Sequence, residues 1–281
     1  MNQPSQPEPG TSLLTMRRGA SLLGLATLAA GILDLIWGNF DPGHQPIQSL
    51  GVHVPGRTAL AYLAGIWLIL AGATLLWRRT VQAGLWATAV IYFIFGLFSV
   101  PRFYTMTHQY GFHITVVLGV LGEMLLQFIV VAACLVFATS SAPPDSYSSA
   151  SSRWIARCTF GLGGILFGMA HLVNVKGVVH MIPKWMPFGA SFWVIVSGVA
   201  FLLAGVAILT GVLNVLAAHL LTLMLLLFEV VALLPILFGY PHLHQAWGAS
   251  AYNLAAAGAV WIFTTSIAQG ERSRGSLTEI P

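Results

Sequence analysis

The side chains able to do chemistry are few, and they are unevenly placed. Of the nine histidines, His44, His53, His108, His113, His171, His180, His242 and His244 border the same side of successive apolar runs, and only His219 lies toward the other. Histidine titrates near neutral pH, donates and accepts hydrogen bonds, and ligates metals. The clustering therefore points to a polar site at one membrane boundary, or to histidines that simply populate interfacial loops. The one close pair is His242-x-His244, and no HxxxH or HExxH sets two ligands on one helical face, so no metal site is expected. Cys134 and Cys158 form no CxxC, CxxCH or iron–sulfur set, which argues against a thiol relay, a covalent haem or a cluster.

Carboxyl groups form the second set. Glu123, with Gln127 one turn further on, Glu229 and Asp34 all lie inside apolar runs, and Asp41 lies just beyond one. An ionisable group at membrane depth costs at least about 2.5 kcal/mol and usually faces the bundle interior. These residues are candidates for function, or for neutral carboxyls bonded across helices. No intramembrane Lys or Arg is expected to match them, which argues against an ion-pair relay. The third feature is the loop His180-Met-Ile-Pro-Lys-Trp-Met-Pro187 after His171. Its two prolines bar a regular helix. Trp185 and Lys184 suit the headgroup region, as an interfacial anchor or as the mouth of a site.

What must position these groups follows from composition. Of 281 residues, 57% are apolar and 7% charged, at a mean hydropathy of +0.82, where soluble proteins average about 25% charged. Too little polar surface exists to cover a soluble globule. The 12 Lys and Arg are scattered, so the net positive charge is no nucleic-acid footprint, and the lipid bilayer is the partner. The sequence predicts an all-α polytopic membrane protein with eight transmembrane helices, near 18–37, 58–77, 81–100, 114–138, 154–173, 189–210, 214–238 and 247–267. Arg17-Arg18 before the first run resembles a signal peptide's flank. The recurrence of that run later in the chain predicts a retained span instead.

The Ser- and Pro-rich segment 139–153 reads as a linker. It divides the chain into a tail (1–16), a first four-helix repeat (17–138), a second (154–268) and a C-terminal tail (269–281). At an offset of 133, Gly31 falls on Gly164, Gly65 on Gly198, Ala71-Gly72 on Ala204-Gly205 and Phe95 on Phe228. Small residues seven apart share a helix face and let backbones approach. An even number of helices per repeat predicts a symmetry axis along the membrane normal. The same offset pairs Glu123 with Ala256, Glu229 with Gly96, and His171 with Gly38. Arg17, Arg18, Arg78, Arg79, Arg153, Arg157, Arg272 and Arg274 on one side, against Arg57, Arg102, Lys176 and Lys184 on the other, predict both termini cytoplasmic in a cell inner or plasma membrane.

From Gly164 to Leu209 the sequence resembles the DoxX-like integral membrane proteins. The resemblance rests on a Gly-rich helix ending in His171, the Pro-Lys-Trp-Met-Pro segment, and a helix carrying Phe192-Trp193, Gly198 and Ala204-Gly205. The first half echoes it in Val54-Pro55-Gly56 and Gly65 to Leu76. The family's usual single four-helix unit implies a fused pair here. Its naming member, a membrane subunit of a thiosulfate:quinone oxidoreductase, implies a quinone-linked redox subunit with a redox partner protein. On that reading Tyr104, His108, His171 and His180 hydrogen-bond a quinone near the outer face, with Trp185 as a wall in the second repeat. The alternatives are a structural or assembly protein, a small-solute transporter using Glu123 or Glu229, and a membrane isomerase or hydrolase on a lipid-like substrate. The oligomeric state stays open.

Overall fold

The computed structural model describes residues 9–42, 45, 47, 54–143 and 146–278. Among them there is no strand, and eight helices are long and apolar enough to cross a membrane. The chain is an all-α integral membrane protein. The continuous apolar runs leave the helix as the way to satisfy every backbone group in lipid.

The spans are α1 (Pro9–Trp37), α2 (Arg57–Leu76), α3 (Val81–Tyr110), α4 (Ile114–Ala138) and α5 (Tyr147–Val173). After a short α6 (Val175–Val178) come α7 (Ala190–Thr210) and α8 (Asn214–Phe228). A π-helical turn, Glu229–Leu233, joins α8 to α9 (Leu234–Gly239), and the last span is α10 (His244–Thr278). The start of α1 and the end of α10 lie at one face, with the short turns at 77–80 and 211–213. The end of α1, the start of α2, the end of α5 and the start of α7, which bound the long connections, lie at the other, the loop face.

Several boundaries differ from the sequence expectation. α1 begins at Pro9 rather than after a 16-residue tail, and Met16 is buried. The linker is shorter than 139–153, because Ser146 caps α5 by accepting from Ser149 N–H, and Ser149 and Ser152 are buried. Serine favours this position because its hydroxyl satisfies an orphan N–H of the first turn. α10 runs through the expected tail to Thr278. α3 continues past Pro101 to Tyr110, so Arg102 lies within a helix and not in a loop.

The helices pack as a closed ring in the order α1, α2, α3, α4, α5, α7, α8, α10 and back to α1, with α4 and α10 meeting across the middle. The last helix of each four-helix unit packs on the first helix of the other. This is the contact pattern of two units related by a two-fold axis along the bundle, without inversion. Glycines set the tightest crossings. A Cβ at Gly31 would lie 2.5 Å from the Gly65 carbonyl oxygen, and one at Gly72 equally near that of Gly24. In the second unit, Cβ atoms at Gly168 and Gly205 would lie 2.6 Å and 2.5 Å from the carbonyl oxygens of Gly198 and Gly161. Small residues there let backbones touch. Leu25, Leu63, Leu70, Leu203 and Leu220 are exposed, as lipid-facing residues are.

Candidate functional site

The glycine crossings correct the repeat alignment. Gly24 and Gly31 occupy the places of Gly161 and Gly168, an offset of 137, whereas Gly65 and Gly72 keep the offset of 133 to Gly198 and Gly205. The first helices are thus one turn out of the register read from sequence, because the loop after α1 is four residues longer than its counterpart. In the corrected register Asp34, not Gly38, corresponds to His171. The surroundings agree: a Cβ at Gly65 would meet Asp34 and Leu35, and one at Gly198 would meet His171 and Leu172.

Each unit holds a cavity at this level. The one in the second unit measures about 240 Å³. α5 supplies Phe167 and His171, one turn apart and therefore on one face. Phe201 comes from α7, Leu225 and Phe228 from α8, and Asn253 from α10, while Val178, Met181 and Ile182 of the loop also line it. The Phe167, His171 and Phe201 rings stand 5.4–6.0 Å apart by centroid, and Phe228 lies 6.1 Å from Phe201.

Three of the polar groups here, His171, Asn253 and Ser197, are already committed as donors, and the Tyr252 hydroxyl also lines the cavity. His171 Nδ1 lies 2.9 Å from the Phe167 carbonyl oxygen. A carbonyl only accepts, so Nδ1 carries the proton and Nε2 keeps its lone pair. Asn253 Nδ2 donates to the Leu225 carbonyl at 2.9 Å and to Glu229 Oε2 at 3.0 Å. Ser197 Oγ donates to the Val194 carbonyl at 3.1 Å. Glu229, at the start of the π-turn, accepts from Ser250 as well as Asn253. π-Turns inside helices recur at functional sites.

The first unit's cavity is about 20 Å³, room for one water-sized body. Residues corresponding to the larger cavity's lining stand around it: Ala30 for Phe167, Leu68 for Phe201, Tyr92 for Leu225 and Phe95 for Phe228. Asp41 and Gln45 of the loop and Gln127 of α4 also line it, and Gln45 Nε2 donates to Asp34 Oδ2 at 3.0 Å. Asp34 is wholly buried. The loop explains the difference in volume: it buries Phe40, Asp41, Gln45 and Ile47, whereas α6 and the 3-10 turn Val179–Met181 bury no residue. Tyr252 of α10 lines both cavities.

The other candidates lie elsewhere. His180 and Trp185 are exposed and line neither cavity, and Tyr104 and His108 are exposed near the end of α3 in the first unit. The structure does not bring these four together with His171. Gln127 is buried at the first cavity, but Glu123 ion-pairs with Arg102. This overturns the expectation of no intramembrane cation, and it arises because α3 outlasts the apolar run. His244 stacks on Trp37 with centroids 4.6 Å apart, while His242 is exposed. His44 and His53 lie outside the described residues. Sequence reasoning missed Asn253 and Gln45. Asn253 was detectable as a lone amide in an Ala-rich stretch, whereas nothing local marks Gln45.

Fold and cavities together define the class: an all-α polytopic membrane protein with a paired intramembrane cavity, one polar and one aromatic. A family described as a domain of unknown function (DUF8561) matches residues 162–240, the stretch from mid-α5 to the end of α9 that supplies most of the aromatic cavity. No curated protein and no solved structure matches the chain.

Proposed function

We propose that the protein is a quinone-linked membrane redox subunit that takes the reduced, hydroxyl-bearing form of its ligand into the second unit's cavity. The observation that carries this reading is the pairing of an aromatic cavity of about 240 Å³ with His171, whose Nδ1 is committed to the Phe167 carbonyl and whose Nε2 is left as an acceptor. Rings pack well against Phe167, Phe201 and Phe228. A bound hydroxyl can donate to His171 Nε2, where a quinone carbonyl would find no donor on that nitrogen. His171 is then also placed to receive the proton a quinol releases on oxidation. The resemblance to DoxX-like proteins points the same way, with electrons passing to a partner protein. The arginine distribution supports placing the loop face outside and both termini in the cytoplasm of an inner or plasma membrane.

A transport role finds less support. Glu123 is paired with Arg102, and Glu229 is held by Ser250 and Asn253. The test is lipid extraction of the purified protein followed by mass spectrometry. A quinone or quinol retained by the native chain and lost in His171→Leu is expected. Phospholipid alone in both would return the chain to a structural or assembly role.

A further inference from the structure

The aromatic cavity is elongated along the bundle, and its two ends differ in chemistry. From Phe160 to His171 α5 rises about 16 Å, and α10 rises as much from Val260 to Ala249, with lining residues all along both. The polar lining residues gather at the loop-face end. His171 lies in the last turn of α5, and Ser197 adjoins Gly198, where a Cβ would meet His171. Tyr252 and Asn253 follow Ala249 within about one turn of α10. Toward mid-membrane the described lining residues are apolar: Phe160, Ile129, Leu221, Ala256 and Val260. Phe160 stacks on Phe263 with centroids 4.4 Å apart, and both are buried, so a stacked pair bounds this end.

A single ring held at His171 is far shorter than this hollow. Left empty, the apolar end would forfeit the dispersion contacts that hydrocarbon gives its lining. We propose that this end is a subsite for a flexible hydrocarbon tail, so that the protein's ligand is a tailed quinol with its head at His171 and its chain directed toward mid-membrane. The proposal rests on the quinol reading of the same cavity and adds the class of quinol and the direction of its chain. Small residues keep the subsite open: Gly163, Gly164 and Ala256 line it, and a Cβ at Gly163 would already lie 2.8 Å from Ile129 Cδ1. In lipid or detergent the chain is already in an apolar medium, so the subsite offers fit rather than hydrophobic gain. A side chain that fills it therefore costs the tailed ligand and spares the bare ring.

The experiment measures anaerobic binding of two quinols to the full-length protein in detergent: trimethylhydroquinone, which has no tail, and the same ring carrying a geranyl chain. The native chain should bind both. Ala256→Phe should weaken the geranyl compound at least about tenfold and trimethylhydroquinone less than about twofold. Equal weakening of the two, weakening of neither, or native binding of the bare ring alone would overturn the tail subsite and leave the quinol reading standing. Binding of neither compound by the native chain would overturn the quinol reading, and the subsite with it. A second measurement needs no variant and decides if Ala256→Phe does not fold. A geranyl quinol with a diazirine at the far end of its chain is photolysed on the native protein. Adducts on Phe160, Leu221 or Val260 are expected, whereas adducts confined to Val178, Met181 and Ile182, or to lipid-facing residues, would overturn the subsite.

Discussion

The two cavities occupy corresponding places and have opposite characters. Where the first unit carries Ala30, Asp34, Leu68 and Tyr92, the second carries Phe167, His171, Phe201 and Leu225. The larger cavity has the bulkier rings on its helices, so helix side chains alone do not set the volume. The loop does. In the first unit it drops four buried side chains inward, and in the second it buries none. One backbone arrangement thus provides a hollow under a loop, and loop length with a handful of side chains decides whether it is small and polar or large and aromatic.

The sharpest test asks whether the two units share their crossing. Gly31→Val and Gly168→Val each press a side chain against the facing backbone. Overpacking costs about 1–3 kcal/mol even where side chains can yield. Both variants should lose most monodisperse protein on size-exclusion chromatography, and survival of one alone would break the correspondence. Next in size is the Arg102–Glu123 pair, found only in the first unit among the described residues. Removing one partner of a buried pair costs about 3–5 kcal/mol; the Glu123 side chain is 31% exposed, so a smaller loss is expected. Arg102→Met and Glu123→Met should each lower the thermal midpoint more than the double variant does.

Gly248→Ala should destabilise by about 1–3 kcal/mol through the clash with Asp41. Gly119→Ala, where a Cβ meets nothing, should be neutral or stabilising by up to about 1 kcal/mol. Equal thermal midpoints for these two would deny the close approach of α10 to the polar cavity. Leu225→Tyr imports the first unit's residue into the second cavity. It should abolish quinol retention in lipid extracts while leaving the midpoint nearly unchanged. The smallest effects belong to His180→Ala and Trp185→Ala, which should change stability by less than about 0.5 kcal/mol and leave ligand content as in the native chain.

These contrasts show what the sequence made legible. Eight spans were readable because unbroken apolar runs in lipid admit helices. The repeat was readable from its glycines, but its register slipped by a turn in α1. Gly161, Gly164 and Gly168 recur at three- and four-residue spacing, and any of them can be matched to Gly31 from sequence alone. That slip hid the correspondence of Asp34 with His171. Arg102 was missed because Pro101 and a charge look like the end of a span, yet the helix runs on and finds Glu123. Gln45 belongs to a loop whose inward fold is a tertiary outcome with no periodic signal. His171 was readable because it ends an apolar helix at the depth where a polar group is rare.

The ring closes through α1 and α10, where Gly19 and Gly258 let the two helices touch. This imposes an order on biosynthesis. Of these eight spans the ribosome delivers α1 first and its neighbour α10 last, so α1 waits in the bilayer through the insertion of the six between them. Until then the Gly19 face lacks its partner, and the polar cavity lacks the wall that Gly248 and Tyr252 supply. A chain stopped before α10 is therefore an open arc. Two separately translated halves, by contrast, each carry one side of both junctions, α1 with α10 and α4 with α5, and are complementary pieces of the same circle.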